Sequence, residues 1–116
     1  MKKPLAFALA LTPALTGCAT MPPPPQRPLY HAVGTEPFWS LTIDQREMRF
    51  SAPDQQPVIQ PTPKVIVAFA GEIYRTPRID VNIVHAQCSD GMSDRSYPDK
   101  VQVTVDGKQF NGCGGL

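Results

Sequence analysis

The sequence predicts an all-β domain, a small antiparallel meander that closes into a barrel or half-barrel and is held by one disulfide. Apolar and polar residues alternate with a period of two through most of residues 38–111. Turn residues separate these segments, and no window has a convincing helical period except for one turn near residues 89–95. Six or seven short strands in succession are typical of a meander that curls on itself.

The first two strands follow from alternation on either side of a polar turn. Trp39, Leu41 and Ile43 share one face of the first predicted strand. Asp44-Gln45-Arg46 is typical of a turn, and Met48 and Phe50 resume the pattern in the second strand.

The middle of the chain is interrupted by prolines, so residues 54–63 are predicted to be a loop or a sheet edge. A third strand is predicted over residues 64–70, with Val65, Val67 and Phe69 pointing inward. Gly71-Glu72 is interpreted as the turn that precedes residues 73–75.

The last strands have the clearest pattern. Residues 78–85 alternate regularly, and a second alternating run leads into Asp106-Gly107. Asp-Gly between two such runs favours a type I′ hairpin, because both central residues need a positive φ. The predicted inward residues are Ile79, Val81, Ile83, Val101, Val103 and Val105.

The amino terminus has the form of an export signal. Lys2 and Lys3 precede an apolar run over residues 5–15, which is too short to cross a hydrocarbon core of ~30 Å as a helix. Leu15-Thr16-Gly17-Cys18 resembles the bacterial lipobox. The resemblance implies a lipoprotein signal peptide over residues 1–17 and a mature chain that begins at Cys18, with diacylglycerol on its thiol and an acyl chain such as palmitate on its amino group. The alternative is a plain secretory signal with an incidental cysteine.

The residue after the cysteine bears on the membrane to which the chain is attached. Ala19 stands where an aspartate would resemble an inner-membrane retention signal. We therefore expect attachment to the outer membrane, on its periplasmic face.

Residues 18–28 are predicted to be a lipidated cysteine followed by a tether, and residues 29–116 the β domain. Four consecutive prolines at positions 22–25 favour polyproline II, in which ten residues would lift the domain ~30 Å from the bilayer. The alternative is a ligand for a proline-binding module.

The charge of the chain offers no electrostatic case for nucleic acid as a partner. The formal net charge is +1, and removal of Lys2 and Lys3 with the signal lowers it by two to −1. The expected partners are the membrane, through the lipid anchor, and an unidentified envelope protein.

Two cysteines remain after lipidation, Cys88 and Cys113, in a domain predicted to be exported to an oxidising compartment. We expect them to form a disulfide. The alternative is a pair of metal ligands with His85, although zinc sites usually contain a close cysteine pair that this sequence lacks.

Three motifs together resemble a known group of proteins. They are Gly34-Thr35-Glu36-Pro37-Phe38-Trp39, Cys88-Ser89-Asp90-Gly91-Met92-Ser93-Asp94-Arg95 and Gly112-Cys113-Gly114-Gly115. The set resembles uncharacterised proteobacterial lipoproteins that look related to the META-domain, heat-shock-lipoprotein-like group, over residues 30–115. The resemblance implies a small β-rich domain and supports a Cys88–Cys113 pairing, but it implies no established activity.

The segment over residues 88–98 is the candidate binding loop. Its charged, apolar and aromatic residues suit specific contacts on a surface: Asp90, Met92, Asp94, Arg95 and Tyr97. Two alternatives remain. Asp90 and Asp94 could bind a cation with His85, or they could cap turns with Arg95 paired to one of them.

Glu36, Phe38 and Trp39 are interpreted as a structural motif. The single tryptophan follows the inward alternation with Leu41 and Ile43, which favours a place in the core. The alternative is a binding anchor.

No catalytic constellation is evident, so we expect a protein that is not an enzyme and that has no cofactor or metal. Ser89 lies near His85 in sequence, but such proximity is not triad geometry. The expected function is that of a protein-interaction or envelope-maintenance module. The alternatives are a barrel that binds a small ligand or metal, or an inhibitor of an envelope-degrading enzyme. A filled barrel with a protruding loop would favour the first function, and a concave apolar cavity near Trp39 would favour the ligand-binding barrel.

Overall fold

The computed structural model describes residues 29–91 and 94–116, together with Pro4, Ala10, Pro13, Gly17, Met21 and Pro22. Cys18, Met92 and most of the predicted signal peptide and tether lie outside the described residues. Within the described part of the chain, no helix has the length and apolar character needed to cross a membrane.

Eleven β-strands and no helix form in the described residues, which confirms the all-β prediction. The strands are β1 (Tyr30–Thr35), β2 (Phe38–Ile43), β3 (Glu47–Ser51), β4 (Val58–Pro61), β5 (Ile66–Val67), β6 (Gly71–Arg75), β7 (Ile79–Val84), β8 (Cys88–Ser89), β9 (Ser96–Tyr97), β10 (Asp99–Val105) and β11 (Lys108–Gly114).

Nine strands form one antiparallel sheet in the order β4-β3-β2-β1-β11-β10-β7-β6-β5, and β8 pairs only with β9 in a separate ribbon. The first and last strands of the domain are therefore neighbours at the middle of the large sheet. Their register pairs Ala32 with Gly114 and Val33 with Cys113.

Chain connectivity forces this sheet to curl. The edge strands β4 and β5 are consecutive, and only residues 62–65 join them, a stretch that spans at most ~18 Å. A flat sheet would separate its first and ninth strands by ~38 Å. The sheet is accordingly a half-barrel, as predicted.

The inner face of the half-barrel is filled by side chains. The predicted alternation places every inward residue of the first two and last two regular strands in this core. The core residues are Ala32, Trp39, Leu41, Ile43, Met48, Phe50, Val58, Ile79, Val81, Ile83, Val101, Val103, Val105 and Phe110.

Trp39 packs near the junction of the first and last strands and is only 4% exposed. Its ring lies 5.9 Å from that of Phe50 and 6.4 Å from that of Phe110, and its Nε1 donates to the Asn111 carbonyl at 3.3 Å. A Cβ atom on Gly34 or Gly112 would collide with the indole, and one on Gly112 would also meet the Val33 carbonyl. The two glycines thus allow the indole to lie against β1 and β11.

Two predicted turns are present. Asp44 Oδ1 accepts hydrogen bonds from the backbone N–H groups of Arg46 and Glu47, each at 2.7 Å, which holds the turn between β2 and β3. Asp106 and Gly107 have φ values of 48° and 84°, so the Asp-Gly hairpin between β10 and β11 has the positive φ values that a type I′ turn requires.

The prediction for residues 64–70 is wrong. Only Ile66–Val67 is a strand, at the edge of the sheet, and the supposed inward residues Val65, Val67 and Phe69 are all exposed. These residues do alternate in the sequence, but side chains from the other strands already fill the interior of the half-barrel. The side chains of this edge segment therefore do not pack into the core. The edge character predicted for residues 54–63 is correct, because β4 forms the opposite edge.

The turn predicted at Gly71-Glu72 is also wrong. Gly71 begins β6, and the chain reverses at Phe69 and Ala70, where the Ala68 N–H donates to the Gly71 carbonyl at 2.8 Å. A Cβ on Gly71 would clash with the Ile83 carbonyl. The glycine is required by close strand approach rather than by turn geometry.

The Trp39→Ala variant tests the importance of the indole for the fold. We expect a loss of ~3–5 kcal/mol in the free energy of unfolding, because the truncation leaves a cavity and removes a buried hydrogen bond. The matched control is Phe38→Ala, where the ring removed is 60% exposed, and its expected change is within ~0.5 kcal/mol. Urea unfolding followed by circular dichroism measures both, and equal losses would contradict a core role for Trp39.

Candidate functional site

The half-barrel has two ends with different residues. We call the end that holds Tyr30, Val84 and Asp99 the entry end, because the chain enters the domain there. The opposite end holds Thr35, Phe38 and Val105 and is called the far end. At the entry end Tyr30 pairs with Ile43 and Val84 with Lys100, and at the far end Thr35 pairs with Phe38 and Val105 with Ile79.

The β8–β9 ribbon contacts β11, on the outer side of the sheet. Cys113 points outward from β11, away from the face that carries Phe110, and forms a disulfide with Cys88 of the ribbon at an S–S distance of 2.03 Å. The predicted Cys88–Cys113 disulfide is confirmed. Closing a loop with a sequence separation of 25 contributes ~3.5 kcal/mol in the chain-entropy model.

The three sequence motifs are brought together around β1 and β11. The Thr35 hydroxyl donates to the Asp90 carbonyl at 3.2 Å, which joins the first motif to the loop. The disulfide joins the loop to the third motif, and Trp39 of the first motif lies against Gly112 of the third. Residues 72 or more positions apart in the chain are thus brought together, with Trp39 on the inner face of the sheet and the ribbon on its outer face.

A groove of about 480 Å³ lies between the ribbon and the outer face of the sheet. Its wall on the sheet is a row of amides, because register aligns Asn82 with Gln102 and Gln102 with Asn111. Gln102 Nε2 donates to Asn111 Oδ1 at 3.4 Å. Lys100 supplies a cation beside the row, and Ser89 and Asp90 line the groove from the ribbon.

A second depression of about 490 Å³ adjoins the groove, and the two share Val33, Gly34 and Thr35. Its lining is mostly apolar and includes Phe38, which is largely exposed. Trp39 also borders it, but this indole is almost entirely buried in the core. The polar groove and the apolar depression therefore meet at Thr35, and the groove extends from there along the outer face of the sheet toward Val84 and Lys100.

The residues of the predicted binding loop differ in their exposure to solvent. Asp94 and Arg95 are exposed, Asp90 is half-buried at the groove, and Met92 lies outside the described residues. The expectation that Tyr97 is also presented to a partner is wrong, because its side chain is only 8% exposed. Tyr97 pairs with Cys88 in the ribbon, where strand alternation leaves Ser96 outward and turns Tyr97 toward the protein.

The residues interpreted as a structural motif also differ from one another. Glu36 lies in the exposed turn after β1, and Phe38 starts β2 with its ring outward. Of the three, Trp39 alone is buried in the core.

A polar network occupies the entry end. Asp99 is 5% exposed and accepts a hydrogen bond from the Tyr30 hydroxyl at 2.8 Å. Its other oxygen lies 2.7 Å from His85 Nδ1, and His85 Nε2 lies 3.0 Å from a carboxylate oxygen of Glu72. Both imidazole nitrogens therefore face carboxylates.

This arrangement favours the doubly protonated imidazole, which can donate to both carboxylates at once, whereas the neutral ring can donate to only one. The hydrogen bonds to Asp99 and then to Glu72 raise the pKa of His85 above its ordinary value of 6.5. Burial, followed by the hydrogen bond to Asp99, raises the pKa of the Tyr30 hydroxyl. Tyr30 is accordingly a hydrogen-bond donor at neutral pH.

The network is organised for structural stability. His85 contacts Asp99 and Glu72 rather than Asp90 or Asp94, and the two carboxylates lie on opposite nitrogens of the ring and do not converge on a common point. Among residues 29–91 and 94–116, no group of three or more His, Cys, Asp or Glu side chains could hold a metal ion. The contacts connect β1, β6 and β10 at the rim of the half-barrel.

Sequence reasoning missed this network because its members lie up to 69 positions apart. One signal was present in the pattern of β10, where Asp99 occupies the same alternating phase as the buried Val101 and Val103. A charged residue in an apolar phase needs a partner when it is buried. The identity of that partner is not readable from spacing.

His85 should make stability depend on pH. Its folded-state pKa is raised, so protonation stabilises the fold below about pH 6.5 and this contribution disappears as the pH rises through the folded-state pKa. The difference in melting temperature between the native chain and His85→Gln should therefore be larger at about pH 5.5 than at about pH 8.5. His31→Gln, at an exposed histidine, is the matched control. A difference in melting temperature between His85→Gln and the native chain that is the same at both pH values would contradict the interpretation.

Comparisons with protein family models, with curated proteins and with solved structures find no match to this chain. The resemblance to the META-domain group of lipoproteins stays a prediction that rests on the three motifs.

Proposed function

We propose that this protein is a lipoprotein, attached to the periplasmic face of the outer membrane through acyl chains on Cys18, and that its β domain binds another protein of the envelope. The observation that carries the binding part is the filled interior of the half-barrel, with two adjoining concave surfaces outside it that meet at Thr35. The anchoring part rests on the basic, apolar and lipobox segments of the first 18 residues.

The filled interior supports a protein partner over a ligand enclosed in the barrel. Leu41, Met48, Phe50, Ile79 and Val103 are completely buried against one another in the space that a lipocalin-like ligand would need. The groove and the depression are instead open surfaces, and their mixture of amides, charges and an exposed aromatic ring suits a protein surface. The apolar depression beside Trp39 is the feature that would favour a small ligand, but it lies on the outside of the sheet.

The position of the tether supports the far end as the partner-facing surface. The chain enters at Tyr30, and β1 carries it ~17 Å to Thr35. A chain anchored through residues before Leu29 has its entry end toward the anchor and its far end directed away. Phe38, the groove and the loop that contains Asp94 are then accessible from the periplasm.

The disulfide supports a preformed binding surface. It fixes the base of the ribbon to β11, and the Thr35–Asp90 hydrogen bond fixes the ribbon to β1. A loop held in this way loses less conformational entropy when a partner binds. An envelope-degrading enzyme is one class of protein partner for such a surface, and the protein would then act as its inhibitor.

Substitution of Cys18 tests the anchor. In cells labelled with radioactive palmitate, the native chain should incorporate label and sediment with membranes, whereas Cys18→Ser should do neither, because the acceptor thiol is gone. The matched control is Cys88→Ser with Cys113→Ser, which leaves the lipobox intact and should remain labelled. Labelled Cys18→Ser protein would contradict the lipobox interpretation.

Site-specific photo-crosslinking in living cells tests the binding surface. We expect a photoreactive phenylalanine at position 38 or at position 94 to yield the same protein adduct, because Phe38 lies at the far end and the loop that contains Asp94 is hydrogen-bonded to Thr35 through the Asp90 carbonyl. The matched control is position 45, which is exposed in the turn at the other end and should not yield that adduct.

A second comparison separates binding from folding. The Phe38→Ala and Asp94→Ala double variant is compared with the native chain, each carrying the photoreactive residue at position 95. The double variant should lose most of the adduct that the native chain forms from position 95. Its melting temperature should match that of the labelled native chain, since the Phe38 and Asp94 side chains are exposed. An adduct of equal yield at position 45, or none at positions 38 and 94, would contradict this surface.

A further inference from the structure

The β5–β6 hairpin contains a run of exposed apolar residues that the fold does not use. Seven consecutive residues, 65–71, carry no charge and no polar side chain. Phe69 is completely exposed and Val67 is 81% exposed, so neither side chain contributes to the core. Hairpin tips usually carry Gly, Asn, Asp or Ser, whereas this one is Ala68-Phe69-Ala70.

This tip lies on the rim of the entry end. The Ala70 carbonyl accepts a hydrogen bond from the His85 N–H at 2.8 Å, and His85 contacts Asp99, which contacts Tyr30. Tyr30 directly follows Leu29, where the tether joins the domain. Four strand spacings separate β1 from β6 in the sheet, so Phe69 lies within ~20 Å of the tether along the rim.

Other apolar groups are exposed at the same rim. Leu29 and Leu116 border one shallow depression there, and both side chains are mostly exposed. The acidic groups nearest to the tip are Glu72 and Asp99, and both contact His85, whose one positive charge when protonated offsets one of the two negative charges. Asp99 is buried. The rim beside the tip thus combines exposed apolar side chains with a single surface carboxylate, Glu72, that is paired with His85.

We infer that the hairpin tip, through Val67 and Phe69, inserts into the headgroup region of the bilayer that holds the lipid anchor. The inference rests on the proposed anchoring at Cys18, which leaves only ten residues, 19–28, between the bilayer and this rim. Apolar and aromatic side chains beside a lipid anchor add burial in the interface to the binding provided by the acyl chains. An uncharged edge segment is an aggregation hazard when it stays in water, and contact with lipid removes that hazard.

The proline-rich tether is compatible with this orientation. The polyproline II conformation predicted from the sequence would give the tether a length of ~30 Å, but it would not fix the angle of the tether to the bilayer. Contact of the rim with lipid requires the tether to lie along the bilayer surface. A tether perpendicular to the bilayer would instead lift the domain away from it. The far end then remains directed toward the periplasm.

Quenching of tryptophan fluorescence by lipid tests the inference. Phe69→Trp and Phe38→Trp are made in the full chain, purified in lipidated form from membranes and reconstituted in vesicles of phosphatidylethanolamine and phosphatidylglycerol. Part of the phospholipid carries bromine near the top of its acyl chains. Trp39 is buried in both variants and provides a common background.

We expect the added emission of Phe69→Trp to be strongly quenched and blue-shifted, while that of Phe38→Trp, at the far end, is unchanged. Vesicle flotation of the same samples reports on the anchor separately. A protein that floats with an unquenched Phe69→Trp would overturn the inference, leaving a second copy of the chain or another protein to cover the tip. Equal quenching at both positions would also overturn it, because contact would then not be specific to the entry end. Absence of flotation would overturn the proposed anchor, and the inference with it.

Discussion

The packing of Trp39 against Gly34 and Gly112 is the contact on which the rest of the domain depends. Neither glycine could carry even a methyl group without displacing the indole. In that position the ring from β2 covers the place where β1 and β11 meet, donates to the Asn111 carbonyl and stacks toward Phe50. The first and last strands of the domain are thereby held together across almost the whole length of the folded chain.

The same pairing of β1 with β11 explains why the sheet becomes a half-barrel. It places two series of strands side by side, one ending at β4 and the other at β5, although β4 and β5 are linked by a short loop. The loop draws the two edges toward each other, and the inner face closes around side chains that leave the space filled. The concave surfaces described above therefore lie outside the filled interior.

These ends are chemically distinct. The far end presents Phe38 and adjoins one side of the amide-lined groove, whose opposite wall is the ribbon held by the Cys88–Cys113 disulfide. The entry end combines the network around His85 with the exposed apolar hairpin tip. If the chain is anchored through Cys18 as we propose, the two ends would face different environments, the entry end toward lipid and the far end toward the periplasm.

The sequence by itself determined the regular strands, the Asp-Gly hairpin and the disulfide. Trp39, Leu41 and Ile43 lie inward because a strand with one buried face must alternate, and Asp106-Gly107 turns because few residues accept two successive positive φ values. Only the tertiary structure decided that Val67 and Phe69 are exposed, since an alternating strand cannot report whether a core remains for it to cover. It also decided the contacts among Tyr30, His85 and Asp99 and the convergence of the three motifs. These depend on which strands become neighbours, and that choice is made by packing between residues far apart in the chain.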